Sequence, residues 1–175
     1  MIALMSRIMH WCVVIVKYNE PSVQYLSFED ILEKDGYLVY TNVGTSMLPL
    51  LHERRDIIEI RCKDPKARCN RYDAVLYKRG DKYILHRVLK VRPNDYVIAG
   101  DHNTFKEYGI TDDMILGVMT RVIRNGKSIT PDNFWYKVYV HFWCDFYPIR
   151  VFLLKTKSFV YRCLSFVKRR ILKIK

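Results

Sequence analysis

The sequence predicts a mainly β protein with a short N-terminal helix and a C-terminal amphipathic helical extension. Many short apolar runs are separated by close polar turns, which favours an antiparallel β architecture over alternating βαβ units. Ser27, followed by two acidic residues, is typical of a helix start before the first of these runs. Beyond Pro131, apolar residues recur at three- and four-residue steps, as they do on one face of a helix.

Capping and turn residues set the boundaries of these elements. The hydroxyl of Ser27 can accept a hydrogen bond from the free amides of the first helical turn, and Asp35-Gly36 ends the helix. Tight turns are expected around Gly80, around Asn94 and at Asn125-Gly126, where the last hairpin closes. The strands are expected over 37–40, 56–61, 74–78, 83–91, 96–99 and 116–123.

The chain is expected to divide into an N-terminal extension over 1–27, a β core over 28–130 and a basic tail over 131–175. Its 175 residues, half of them hydrophobic, suffice to bury one core. The net charge is +12, and nine of the 30 Lys and Arg residues lie in 146–175, which holds no acid. The basic character therefore belongs mostly to the tail.

The tail is predicted to form an amphipathic helix that breaks near Pro148. Its apolar face consists of Ile149, Phe152, Leu153, Val160, Leu164, Val167, Ile171 and Ile174. Two interpretations stay open: residues 149–175 lie on an anionic membrane surface, where each Lys or Arg contributes about 1 kcal/mol, or they pack on the β core. No recognition motif accompanies the charge, so nucleic acid is not expected as a partner.

The apolar segment 1–16 is interrupted by Arg7 and His10 and is shorter than the roughly 20 residues that span a bilayer. A short docked helix or an edge strand is expected there, and the protein is expected in the cytoplasm or peripherally on a membrane. The segment lacks a small-residue cleavage pattern, so no signal peptide is expected. Five cysteines without a C-x-x-C pair indicate reduced thiols, and no metal or organic cofactor is expected.

Three separate segments supply a candidate nucleophile, base and acid. Ser46 follows Gly44, which permits a sharp turn that presents a hydroxyl. His86 lies inside a strand, and its ordinary pKa near 6.5 suits a general base at neutral pH. Asp101 follows Gly100 at the end of a strand and can orient an imidazole. Each of these residues, taken alone, is also typical of a structural role in a turn or a core.

Further residues complete the candidate site. Glu107 is a second candidate for orienting the imidazole, and His102 is a weaker alternative base. Met47 provides an apolar anchor for a substrate pocket, and Pro49 fixes the exit of the serine turn.

Four boxes in order resemble the S24/S26 peptidase superfamily, which contains type I signal peptidases and LexA-like self-cleaving repressors. They are Gly44-x-Ser46-Met47-x-Pro49, Asp73-Ala74-Val75-Leu76-Tyr77, His86-Arg87-Val88 and Gly100-Asp101-x-Asn103. The resemblance covers residues 28–127 and implies a serine peptidase on the superfamily's mostly β fold. His86 stands where most bacterial members have a lysine, so the chain resembles the endoplasmic-reticulum and archaeal type. In that type an aspartate assists the histidine at the position where this chain has Glu107.

The resemblance implies hydrolysis of signal, leader or precursor peptides that carry small residues before the cut. Ser46 would attack the carbonyl, His86 would move the proton, and Asp101 or Glu107 would hold the imidazole. Many members bind the oxyanion with a hydroxyl residue where this chain has Gly44, so backbone amides near Ser46 are expected to serve, helped by Thr45. The membrane anchor of the signal peptidases and the DNA-binding domain of the repressors are not recognised in 1–27. Two alternatives stay open: a non-catalytic member that binds a peptide or partner, and a self-cleaving regulator.

Overall fold

A computed structural model describes residues 26–172, with side chains to Arg170. The prediction for segment 1–16 and almost all of the extension over 1–27 lie outside the described residues, as does Ile174. The eight strands are β1 (Tyr37–Thr41), β2 (Ile57–Cys62), β3 (Ala74–Arg79), β4 (Lys82–Val91), β5 (Tyr96–Ala99), β6 (Glu107–Ile110), β7 (Ile115–Arg124) and β8 (Lys127–Ile129). The helices are α1 (Phe28–Asp35), α2 (Phe134–Asp145) and α3 (Tyr147–Leu172), with a short 3-10 turn at Asp112–Met114.

This architecture confirms the predicted mainly β class with a short N-terminal helix and C-terminal helices. All six predicted strands are present, with ends shifted by at most one or two residues. β6 was not predicted, because Glu107–Ile110 is short and contains a glycine. β8 completes the hairpin expected at Asn125-Gly126, where both residues have the positive φ angles that suit a tight turn.

The predicted caps of α1 are confirmed. The Asp30 amide donates to Ser27 Oγ at 3.1 Å, and the Ser27 amide donates to Asp30 Oδ2 at 2.9 Å, which makes a capping box. Gly36 ends the helix with a φ of 75°, a conformation that glycine adopts without steric cost. α1 packs on the sheet through Phe28 and Leu32, which are both buried.

The main path of the sheet runs β1-β2-β7-β3-β4-β5-β6, and β8 pairs with β7. All pairs are antiparallel. In the β3–β4 hairpin, Val75 lies opposite His86 and Tyr77 lies opposite Ile84. Tyr77 and His86 are therefore diagonal neighbours on one face of the sheet.

The two faces of the sheet bury different clusters, because successive side chains of a strand point to opposite sides. In β3, Ala74 and Leu76 join the larger cluster, whereas Val75 and Tyr77 join the smaller one. The larger cluster lies under α1 and α2. It contains, among others, Phe28, Leu32, Leu38, Met47, Leu51, Ile58, Ile60, Tyr136, Val140 and Cys144. The smaller cluster contains Val88, Tyr96, Ile98, Ile110 and Ile115.

The C-terminal segment forms two helices, and the break falls at Phe146, two residues before Pro148. α2 packs into the larger cluster, so the part that leaves the packed body is shorter than the predicted tail over 131–175. In α3, every side chain from Lys155 to Arg170 is exposed. The alternative of a helix packed on the β core therefore does not describe this part of α3. Among residues 26–172, no helix is long and apolar enough to cross a bilayer.

Candidate active site

A cleft of about 820 Å³ opens between the serine turn, α1 and strand β4. It brings together residues that the sequence predicted as site residues from three separate segments. Its wall contains Phe28, Tyr40, Thr41, Asn42, Val43, Gly44, Thr45, Ser46, Glu53, Arg54, Leu76, Lys82, Tyr83, Ile84, Leu85, His86, His102 and Asn103.

The turn that carries Ser46 has the conformation expected from its residues. Gly44 has a φ of 103°, a region that side chains rarely tolerate, and Asn42 Nδ2 donates to the Gly44 carbonyl at 3.1 Å. Met47 points away from the cleft into the larger cluster and is 1% exposed, whereas Pro49 is exposed. Met47 therefore anchors the turn to the core, and neither it nor Pro49 lines the cleft.

The buried carboxylate of Asp56 holds the end of the loop between β1 and β2, the loop that carries Ser46. Asp56 accepts from Arg124 Nε at 2.9 Å and from the His52 amide at 2.8 Å. Its own carbonyl accepts from the Asn42 amide at 3.2 Å, which ties the two ends of the loop together. Burial raises the pKa of Asp56, but the hydrogen bonds from Arg124 and His52 outweigh it and hold the pKa well below its usual range.

Gly100 brings the serine turn against the histidine. The Ser46 carbonyl accepts from the His102 amide at 2.7 Å. A Cβ atom on Gly100 would lie 2.6 Å from the Ser46 carbonyl oxygen and 2.9 Å from His86 Nε2, closer than real Cβ contacts. Only a glycine therefore lets these two segments approach each other here.

Glu107 lies against the buried imidazole. Its Oε1 is 2.8 Å from His86 Nδ1, and both side chains are less than a tenth exposed. A carboxylate at this distance accepts a hydrogen bond from Nδ1–H, which leaves the lone pair on Nε2. Nε2 is the nitrogen next to Gly100 and the serine turn. The arrangement therefore holds His86 in the tautomer that a general base requires.

Two side chains of β3 complete the surroundings of Glu107, and the sequence predictions gave neither a role there. Tyr77 Oη donates to Glu107 Oε2 at 2.8 Å and lies 3.3 Å from His86 Nδ1, and Arg79 forms an ion pair with the same carboxylate. The hairpin register that Gly80 sets would have identified Tyr77, because it makes Tyr77 and His86 diagonal neighbours. Glu107 lies on the strand that was not predicted.

The environment of His86 favours its neutral form. Burial lowers the pKa of His86 below its ordinary value of 6.5, and the charge of Glu107 opposes this without cancelling it. A neutral imidazole with a free Nε2 lone pair can accept a proton at neutral pH.

Nε2 of His86 lies 3.5 Å from the side-chain amide of Asn103. Within residues 26–172, no hydrogen bond joins Ser46 Oγ to this nitrogen. Hydrogen bonds of catalytic groups are often long before substrate binds and shorten in the complex. The side chains of Ser46 and His86 line the same cleft.

Asp101, the other candidate acid, forms its ion pair with Arg87 instead. Its two carboxylate oxygens accept from Arg87 Nε at 2.9 Å and from Nη2 at 2.8 Å, and both side chains are fully buried. Tyr139 Oη donates to the same carboxylate at 2.9 Å. Of the two acids left open by the sequence, Glu107 contacts the imidazole and Asp101 braces the loop beside it.

The C-terminal helices hold this loop from behind. Trp143 Nε1 donates to the Asp101 carbonyl at 2.7 Å. Arg150, which is 2% exposed, donates through Nη2 to the Asn103 carbonyl at 3.0 Å and to the Gly100 carbonyl at 3.3 Å. The start of the predicted tail is therefore part of the structure that positions the site.

The backbone amide of the candidate nucleophile is free, within the described part of the chain, to donate a hydrogen bond. The amide of Ser46 donates to no acceptor among residues 26–172. Thr45 is exposed beside it, and Gly44 carries no side chain that would cover it. The expected use of the backbone in place of a hydroxyl residue at position 44 requires such a free amide.

Other chemistry finds little support in the described part of the chain. His102 lines the cleft, but within residues 26–172 its side chain forms no ion pair with an acid and no hydrogen bond to a carboxylate. Burial lowers the pKa of His102, and the nearby charges of Lys157 and Arg150 lower it further. Within the described range, no group of His, Cys, Asp and Glu side chains is arranged to hold a metal ion. Cys69 and Cys144 are buried outside the cleft, and burial raises the pKa of each thiol to about 11.

Comparison of the chain with protein-family models, with curated proteins and with solved structures finds no match. What the cleft does must therefore be inferred from its own residues.

Proposed function

We propose that the protein is a serine endopeptidase in which Ser46 is the nucleophile, His86 the general base and Glu107 the residue that orients the base. The observation that carries the proposal is the contact of 2.8 Å between His86 Nδ1 and Glu107 Oε1, with Nε2 directed toward the serine turn. The resemblance to the S24/S26 superfamily adds the substrate class, which is a signal, leader or precursor peptide.

The proposed reaction has two steps. Ser46 Oγ forms a bond to the substrate carbonyl carbon while its proton passes to His86 Nε2. The Ser46 amide stabilises the oxyanion, and the imidazolium is stabilised by the negative charge of Glu107. As the peptide C–N bond breaks, Nε2 returns its proton to the leaving amine. Water then attacks the acyl-serine ester with His86 again as base, which releases the acid and restores Ser46.

Cleavage of a mixed peptide library, with new termini identified by mass spectrometry, tests the proposal. The wild-type protein should cut at a consistent set of sites, and Ser46→Ala and His86→Ala should each lose this cleavage. Ser158→Ala, which alters an exposed serine far along α3, is the matched control and should cut like the wild type. Cleavage that survives both site substitutions would refute the assignment.

One observation favours a second candidate function, a peptide-binding protein without catalysis. Ser46 Oγ makes no hydrogen bond to His86 Nε2, and that nitrogen lies near the Asn103 amide instead. A wild-type protein that retains library peptides without cutting any of them would support this candidate. Conversion of the purified protein into two fragments, absent in Ser46→Ala, would instead indicate the self-cleaving regulator.

A further inference from the structure

An exposed stripe of apolar side chains runs along α2 and α3. We call it the aromatic stripe and define it by Phe142, Phe146, Ile149, Phe152, Phe159 and Phe166. Each of these side chains is at least half exposed, and Phe152 and Phe159 are each 68% exposed. Soluble monomers rarely leave so many large apolar groups together in water, so the stripe indicates an interaction surface.

The stripe passes from one helix to the next. The rings of Phe142 and Phe146 lie 5.8 Å apart, and Phe146 directly precedes α3. Along α3, Phe152, Phe159 and Phe166 recur every seven residues, which keeps them on one side of the helix.

The rotation of α3 about its axis directs this side away from the protein body. Arg150 and Leu154, one turn apart, occupy the other side of the helix, and Arg150 is buried against the Gly100 and Asn103 carbonyls. The first two turns therefore fix the helix to the body by the side that carries Arg150 and Leu154. The stripe is left without a partner in residues 26–172.

Basic side chains border the stripe on both flanks of α3. Lys155, Arg162 and Arg169 recur every seven residues beside the phenylalanines, and Lys157 and Lys168 lie at the far edge of the apolar face, beyond the exposed Leu153, Val160 and Leu164. No acidic residue occurs from Phe146 to the end of the chain. The surface is therefore apolar at its centre and positive at its edges.

We propose that the aromatic stripe docks onto the surface of an anionic lipid bilayer, with α3 parallel to the membrane plane. The apolar side chains would enter the boundary between headgroups and acyl chains, and the flanking Lys and Arg side chains would reach lipid phosphates. α3 has 26 residues and so extends about 39 Å, which is ample for such a contact. Pairing with α3 of a second copy is less favourable, because it would bring two positive flanks together without an acid between them.

Docking would also bring the candidate active site to the membrane. Arg150 joins α3 to the Asn103 carbonyl, and the Asn103 side chain contacts His86. A bound helix would hold the cleft close to substrates that are themselves attached to the bilayer. The docking itself is independent of the proposed peptidase activity and is measured without a peptide substrate.

Vesicle co-sedimentation of the full chain tests the proposal, with phosphatidylcholine vesicles compared with mixed phosphatidylcholine and phosphatidylglycerol vesicles. The wild type should bind the anionic vesicles more than about tenfold better, and high salt should weaken this binding. The double substitution Phe152→Glu and Phe159→Glu should lower binding by about tenfold or more. The control is Ser158→Glu with Ser165→Glu, which adds the same charge about 100° around α3 from Phe159 and Phe166 and should retain more binding than the stripe variant.

Equal loss in the two double variants would overturn the proposal, because charge alone would then explain the binding. Equal binding to neutral and anionic vesicles would also overturn it. The stripe would instead be the contact with a second copy if the wild type does not bind vesicles but is a dimer in analytical ultracentrifugation, and the stripe variant is a monomer. Circular dichroism of each variant confirms that the helices remain folded.

Discussion

Glu107 Oε1 lies 2.8 Å from His86 Nδ1 inside the protein, with both side chains less than a tenth exposed. The carboxylate fixes the ring, selects its tautomer and supplies a negative charge where an imidazolium would form. Tyr77 and Arg79 hold the carboxylate in turn. Asp101 has no comparable relation to the ring, because Arg87 occupies both of its carboxylate oxygens.

Glu107→Gln should lower kcat about 100-fold and change KM little, because the amide keeps the size of the side chain but removes its charge. The measurement is steady-state cleavage of a peptide found in the library screen. Glu53→Gln, which changes an exposed acid of the same cleft, should stay close to wild type. Full activity of Glu107→Gln would remove Glu107 from the proposed site.

The pH dependence of kcat/KM should follow His86. Burial lowers its pKa, so activity should rise with pH through an apparent pKa below 6.5 and level off near neutrality. Glu107 raises the pKa of His86, so the Glu107→Gln variant should show its acid limb at still lower pH. A shift of this limb to higher pH, or a limb that His86→Ala leaves unchanged, would contradict the assignment of the base.

Asp101→Asn should destabilise the fold by about 3–5 kcal/mol, because it leaves the Arg87 guanidinium buried without its counter-charge. Urea unfolding of the wild type and the variant measures the difference. Asp132→Asn, which removes an exposed acid 3.9 Å from Lys137, should leave the midpoint unchanged. Equal midpoints for all three proteins would mean that the Arg87–Asp101 pair does not brace the loop.

Gly100→Ala should reduce cleavage about 100-fold while the protein still folds cooperatively. The added Cβ would lie 2.6 Å from the Ser46 carbonyl oxygen and 2.9 Å from His86 Nε2, so the serine turn must move away from the base. Activity and thermal unfolding are measured on the same preparation. Unchanged activity would show that the approach of these two segments is not required.

Thiol alkylation should separate the described cysteines into two classes. Cys62 and Cys163 are exposed and should react with iodoacetamide first. Cys69 and Cys144 are buried with pKa values of about 11, so few of their thiols are ionised and accessible, and they should react slowly until urea unfolds the protein. Rapid modification of Cys144 in the native protein, followed by peptide mass spectrometry, would mean that α2 does not stay packed on the sheet.

Local patterns predicted most of the fold. The helix cap at Ser27, the turn at Gly80 and the hairpin at Asn125-Gly126 all depend on residues close together in the chain, so the sequence identified them. β6 was not predicted, because its four residues show no clear alternation of apolar and polar side chains and because its pairing with β5 depends on residues distant in the chain. The break between α2 and α3 was expected near Pro148, but the packing of α2 on the sheet was not.

In the candidate site, too, the sequence predicted the features that depend on local segments and missed those that depend on tertiary packing. Ser46 and His86 follow from their segments, whereas the choice between Asp101 and Glu107 depends on how β5 pairs with β4 and how β6 pairs with β5. The partner of Asp101 lies 14 residues earlier, at Arg87, and the contact from Tyr139 comes from a helix 38 residues later. Such contacts are set by tertiary packing and leave no periodic pattern in the sequence.

Covalent labelling with an alkyl fluorophosphonate, located by peptide mass spectrometry, tests the central claim most directly. The reagent phosphonylates serines that a neighbouring base activates, so the wild type should carry a single adduct, on Ser46. His86→Ala should lose this adduct, and His102→Ala, which alters the other histidine of the cleft, should retain it. Labelling of Ser46 that persists undiminished in His86→Ala, or a wild type that cleaves peptides without any adduct on Ser46, would contradict the account.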